Sequence, residues 1–224
     1  MTSTLTVGPV ADAIARLYHD AQRQSAAAPR ADAEVRRRRR AEESAMSAQE
    51  RADASAERYM PVSPDTGRLL YALVRAARPA VVVEFGTSYG ISTLHLAAAV
   101  RDNGIGHIYT SELSVTKIAA ARATFVEAGV ADLVTVLAGD ACETLAGVSG
   151  PVGLVLLDGW KDLYVPVLQV LQDKLAPGAT VVADNASKAD ARPYLDHVRD
   201  GANGYVSVNF PAKHDDSIEI SCRV

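Results

Sequence analysis

The sequence predicts an α/β fold: a doubly wound sheet of seven strands, mostly parallel, with an extra helical segment at its N-terminal end. Three observations predict it. From residue 80 onward, short β-branched runs alternate with helical segments, the pattern of a parallel sheet with helices on both faces. The last two runs, residues 204–210 and 218–222, are joined by a connection too short for a parallel crossover, so this pair is antiparallel and six strands share one sense. Residues 1–60 have a different composition, rich in Ala, Arg, Glu and Gln, with Val35 the sole β-branched residue after Ile14.

In chain order, residues 9–28 read as a helix with Val10, Ile14, Leu17 and Tyr18 on one face, broken by Pro29. Residues 31–58 have high helix propensity but a thin apolar stripe. They include the arginine run 36–40, either a basic patch for a polyanion or a solvated face balanced by Asp32, Glu34, Glu42 and Glu43. A helix with so thin a stripe needs another surface, so residues 1–60 are expected to form a lid or a dimer interface, and residues 61–224 the main domain. Ser63 caps and Pro64 starts a helix running to residue 77. Strands are expected at 80–85, 107–111, 133–137, 152–157 and 180–183. Helices fall between and after them at 91–100, 115–128, 142–146, 163–175 and 189–199.

The chain has 224 residues and a formal net charge of −4, enough for one sizeable α/β domain and no reason to expect nucleic acid or a membrane surface as partner. No apolar run is long enough to span a bilayer, and the N-terminal residues do not read as a signal peptide. Cys142 and Cys222 make no disulfide framework, which points to a reducing cytoplasm.

The chemistry gathers at strand ends. Residues 154–157 are apolar and run into Asp158, followed by Trp160 and Lys161; residues 179–183 run likewise into Asp184 and Asn185. If these strands are parallel neighbours, three oxygen donors converge, a site for a hard cation such as Mg²⁺ or Ca²⁺. At the first strand end, Gly86 lets the backbone approach a ligand, but the spacing is not GxGxxG, which weighs against a nicotinamide dinucleotide. Glu112, closing the second strand, is suited to accept from both hydroxyls of a ribose, or else serves as the acid before the next helix. Asp140, closing the third, faces an adenine amine or caps the following helix.

These residues resemble the class I S-adenosylmethionine-dependent methyltransferases, and within them the cation-dependent O-methyltransferases of the catechol O-methyltransferase type. The resemblance spans roughly residues 59–200 and rests above all on Leu157-Asp-Gly-Trp-Lys-Asp-Leu-Tyr164 with Ala183-Asp-Asn185. It implies a Rossmann-like sheet in the order 3-2-1-4-5-7-6, S-adenosylmethionine and Mg²⁺ as cofactors, and methyl transfer to a hydroxyl of a small catechol-like or phenolic acceptor. It implies Asp158, Asp184 and Asn185 as metal ligands and Lys161 as general base. Glu84, Gly86, Ser88 and Ser92 would lie along the methionine part of the cofactor, Glu112 at its ribose, Asp140 and Ala141 at its adenine. Met60 and Val62 would close over cofactor and acceptor, and Asp158 and Trp160 would also border the cofactor. Trp160, Lys161 and Asn185 would meet the acceptor.

The chain departs from the family at Gly159, where the catechol enzymes have a histidine, and in the segment 211–216, which lacks a clear counterpart of a family glutamate. His214 and Asp215 are either a polar turn or the acceptor contact that replaces it. A homodimer is expected. The rival readings are a metal-independent methyltransferase of an amine or carboxyl, and a non-catalytic cofactor-binding protein whose arginine run holds nucleic acid.

Overall fold

The apolar runs assemble into one seven-stranded sheet in the order β3-β2-β1-β4-β5-β7-β6 in a computed structural model that describes residues 3–28, 32–213 and 216–224. The strands are β1 (Val81–Phe85), β2 (His107–Glu112), β3 (Val134–Ala138), β4 (Val152–Leu157), β5 (Leu175–Ala183), β6 (Tyr205–Lys213) and β7 (Asp216–Arg223). The five strands β1 to β5 pair in parallel, whereas β7 runs antiparallel to both β5 and β6. β6 therefore points the same way as β5, and six strands share one sense.

The helices are α1 (Pro9–Ala27), α2 (Ala33–Ala45), α3 (Ala48–Ala54), α4 (Pro64–Ala77), α5 (Ile91–Asn103), α6 (Val115–Glu127), α7 (Ala141–Thr144), α8 (Tyr164–Leu171) and α9 (Arg192–Arg199). Ser63 accepts a hydrogen bond from the Thr66 amide, as expected of the α4 cap. Within the helix-prone stretch 31–58 the chain forms two helices: Met46 is extended, and Ser47 opens α3 with a reciprocal cap to Glu50. Ser47 wins because its hydroxyl and the Glu50 carboxylate satisfy amides that a continuous helix would satisfy internally. β5 begins five residues before its expected start, at Leu175, because Pro177 and Gly178 are carried within the strand, at positions its exposed early part tolerates. The expected break at Pro29 lies outside the described residues.

Two apolar layers sandwich the sheet. One holds Leu94, Leu96, Val100 and Phe125 with Leu154 and Leu156; the other holds Tyr164, Leu168, Leu171 and Tyr194 with Val155 and Leu157. The alternation of Leu154 and Leu156 with Val155 and Leu157 between the layers is the period-2 rule on a strand buried on both faces. The N-terminal segment belongs to the first layer: Val10, Ala13, Ile14 and Leu17 of α1 are buried in it. No helix among the described residues is long and apolar enough to cross a membrane.

Because α1 closes the core, Leu17→Ala should lower unfolding stability by about 2–5 kcal/mol, the cost of a buried leucine truncated to a cavity. Urea denaturation checks it; a loss below about 0.5 kcal/mol would make α1 an appendage.

Candidate active site

The strand ends line up because the ladder continues one step past each strand. Phe85, Leu157 and Ala183 are level in the β1-β4-β5 registers. The Asp158 amide then donates to the Phe85 carbonyl (2.9 Å) and the Asp184 amide to the Leu157 carbonyl (3.0 Å). Asp158 and Asp184 thus leave the sheet side by side, and both line a cavity of about 540 Å³ with Asn185, Trp160 and Lys161. Met60, Val62, Gly86, Ser88, Ser92, Glu112, Asp140 and Ala141 line the same cavity. Glu84 does not: its carboxylate is fully buried one layer behind, where Oε2 accepts from the Thr93 and Thr110 hydroxyls. Burial raises its pKa, against the pull of the Ser92, Thr110 and Thr93 hydroxyls. His214 and Asp215 lie outside the described residues.

Gly86 sits at φ +101°, and a Cβ there would stand 2.8 Å from the Asp158 carbonyl oxygen. Only glycine lets the two strand ends pass this closely. Gly159 has a different reason: a Cβ would fall 2.3–2.6 Å from ring atoms of Phe85. The Phe85 ring fills the place a side chain at 159 would take, so this part of the cavity wall is closed from β1.

Glu112 is fixed by three amides, with Oε2 accepting from Ser88 (2.8 Å) and Oε1 from Leu113 and Ser114 (2.9 Å each). Asp140 accepts from the Cys142 amide at 2.7 Å, so the capping reading holds for one of its oxygens. Among the described residues the Ser88 hydroxyl and Glu84 Oε1 are buried without a hydrogen bond. A glycine-lined cradle beside orphaned polar atoms and an anchored carboxylate fits a ligand rich in hydroxyls and amines, as a nucleoside with an amino-acid tail is.

At the other end, Lys161 Nζ donates to the Gly159 carbonyl (3.0 Å) and the Tyr164 hydroxyl (2.8 Å) and lies 3.5 Å from Asp158 Oδ1. Tyr164 in turn donates to the Asp184 carbonyl (2.9 Å). Burial, then the Asp158 and Asp184 charges, raise the Tyr164 pKa well above normal, so it stays a hydroxyl that relays position and not a base. Asn185, in the left-handed region at φ 55°, donates Nδ2 to Asp216 Oδ2 (3.0 Å). That bond assigns the amide and leaves Oδ1 to act as a ligand. Asp216 also pairs with Lys188 (3.3 Å); burial opposes its ionisation, but the Ser217 amide, Lys188 and Asn185 outweigh this and hold its carboxyl below the usual range. Two carboxylates and one amide oxygen suit a hard divalent cation. Among the described residues no three His, Cys, Asp or Glu side chains gather as a metal-holding group.

The sequence reading, which allowed for a lid from residues 1–60, named none of the side chains by which helices of that segment reach the cavity as its roof. Glu43, Ser44, Arg51, Ser55 and Arg58 of the N-terminal segment line the cavity. Arg51 makes a double hydrogen bond to Asp162 (2.9 and 2.8 Å) and lies 4.9 Å over the Trp160 ring. Tyr59 stacks on Tyr89 at 4.1 Å, and the Tyr89 hydroxyl donates to the Ala56 carbonyl. The thin apolar stripe was the available signal: these helices are held by polar and aromatic contacts to the site itself.

A family model for a methyltransferase domain matches residues 83–186. The chain is 34% identical over 149 residues to a probable O-methyltransferase of Mycobacterium tuberculosis, covering 62% of this chain and 63% of that protein. It is 30% identical over 150 residues to the catechol O-methyltransferase of Sus scrofa, covering 64% and 80%. Cofactor-bound Rv0187 from MTB superposes with a TM-score of 0.68 at 27% identity, over 79% of this chain and 89% of that one. TomG, an O-methyltransferase from Streptomyces achromogenes solved with SAM, shares the fold at a TM-score of 0.66 and 24% identity, over 80% and 90%.

Arg51→Ala should release the roof from the sheet. Hydrogen exchange should quicken across residues 48–60 and stay unchanged in β1, β4 and β5; equal protection of 48–60 in both proteins would show that Arg51 does not hold it.

Proposed function

The chain belongs to the class I S-adenosylmethionine-dependent O-methyltransferases of catechol O-methyltransferase type, and from that membership we propose that it moves the sulfonium methyl of S-adenosylmethionine to a hydroxyl of a small phenolic or catechol-like acceptor, with divalent-cation assistance. The observation that carries the reading is the convergence of Asp158, Asp184, Asn185 and Lys161 on the rim of the cavity whose other end is the Gly86–Glu112 cradle.

Methyl transfer is a displacement: the acceptor oxygen attacks the methyl carbon in line as the carbon–sulfur bond breaks, and the oxygen must first lose its proton. A phenol has a pKa near 10. A cation at Asp158, Asp184 and Asn185 would lower that value and hold two adjacent hydroxyls in place. Lys161 receives the proton, and the Gly159 carbonyl, the Tyr164 hydroxyl and Asp158 stabilise the ammonium that results. Asp216 orients the Asn185 amide. Trp160, with Arg51 across it, covers the site and excludes water from the sulfonium.

The membership and the donor set support this reading over a metal-independent enzyme. Arg38 pairs with Glu42 on α2 at 2.8 Å, which favours a solvated face for the arginine run over a nucleic-acid surface.

Turnover of a catechol should vanish in excess EDTA and return with added Mg²⁺; full activity after chelation and dialysis would leave the O-methyltransferase reading standing without its metal. Lys161→Ala should lower kcat roughly 10²–10⁴-fold at neutral pH with partial recovery at higher pH, where the acceptor ionises unaided. A wild-type kcat at pH 7 would place the base elsewhere.

A further inference from the structure

Lys117 is a cation in an unfavourable place. It lies in the first turn of α6, where the helix dipole opposes positive charge. It is 2% exposed, and burial pushes its pKa down. Arg58 adds repulsion, and Glu112 is the acid whose charge offsets these costs. Yet among the described residues Lys117 Nζ has no hydrogen bond and no ion pair within 4 Å, while the side chain lines the cavity at its Glu112 end. Local rules broken this way mark a group kept for a ligand.

The surroundings specify the ligand. Glu112, whose charge reaches Lys117, lines the same cavity with Ser88, Leu113, Gly139 and Asp140. Two of these are acids, so an anionic group there would be repelled, whereas a neutral group that both donates and accepts would be held. Glu112 is immobilised by its three amide bonds and can only accept. A hydroxyl that donates to Glu112 still carries lone pairs in need of a donor, and Lys117 can only donate. An acceptor and a donor that line one cavity and feel each other's charge are complementary to a vicinal diol.

We propose that Lys117 is a further cofactor-binding residue, its ammonium donating to the ribose diol of S-adenosylmethionine whose hydroxyl protons go to Glu112. This rests on the cofactor reading given above.

The experiment is calorimetric titration of S-adenosylhomocysteine, and of its 2′-deoxy and 3′-deoxy forms, into wild type, Lys117→Met and Lys117→Arg, with thermal melts of each ligand-free protein. Lys117→Met should bind S-adenosylhomocysteine about tenfold or more weakly, the scale of a lost charge-assisted hydrogen bond. Against the deoxy form lacking the contacted hydroxyl, the same substitution should cost less than about twofold. Its ligand-free melting temperature should be unchanged or higher, since an unpaired buried charge has gone; Lys117→Arg, which keeps a donor, should recover part of the affinity and serves if the methionine variant does not fold. Undiminished binding by Lys117→Met, or the same loss against all three ligands, overturns the assignment. A wild type that binds none of the three overturns the cofactor reading itself, and the assignment with it.

Discussion

The site depends on one constraint of the sheet, the shared level at which β1, β4 and β5 end. Parallel strands have no freedom to slide by one residue, since a slip exchanges the two apolar faces of a strand buried on both sides. With Leu157 held opposite Phe85 and Ala183 by that packing, the next residue of each strand has to leave the sheet at one edge. Asp158 and Asp184 are those residues. Their neighbourhood is a consequence of where Leu154, Val155, Leu156 and Leu157 are buried, not of any attraction between two carboxylates, which repel. The core holds them together, and the Lys161 ammonium offsets part of the repulsion.

The same closeness explains the two glycines of the rim. Gly86 yields space to the Asp158 backbone, and Gly159 yields it to the Phe85 ring. Exchange of material between positions 85 and 159 keeps the wall closed while altering which strand supplies it. A residue larger than glycine at 159 would have to displace an aromatic ring that also packs edge-on against Tyr164, the residue that steadies Lys161. Wall, base and strand end are therefore one packing unit.

Much of this was legible in the chain. The pattern of apolar runs ending in Asp158, Asp184, Glu112 and Asp140 located the strand ends, because a polar group directly after a buried strand has few places to go except the edge. The antiparallel return of β7 followed from the length of a connection. Ser63 before Pro64 marked a helix start by local hydrogen bonding alone. What sequence could not carry was anything set by contact between distant segments. The packing of Phe85 into the place beside Gly159 joins residues 74 positions apart, and Arg51 meets Asp162 across 111. The break at Met46 was local, and the Ser47–Glu50 pair signalled it; high helix propensity on both sides masked it.

The distribution of charge in the cavity separates its two ends by kind. Around Asp158 and Asn185 each cation has an acid beside it: Arg51 with Asp162, Lys161 with Asp158, Lys188 with Asp216. Such pairs are neutral as units, so they wall the cavity without attracting bulk ions. At the Glu112 end the acid is satisfied by backbone amides, while among the described residues Lys117 Nζ has no hydrogen-bond partner. A satisfied pair contributes shape; an unsatisfied donor contributes binding, because its partner arrives with the ligand and the desolvation has been met in folding. By that distinction the Asp158–Asn185 end contributes mainly shape, and the Glu112 end contributes hydrogen bonds to a ligand. The N-terminal segment reaches both, since Arg51 of α3 stands over Trp160 while Arg58, beyond that helix, lies near enough to Lys117 to weaken its charge.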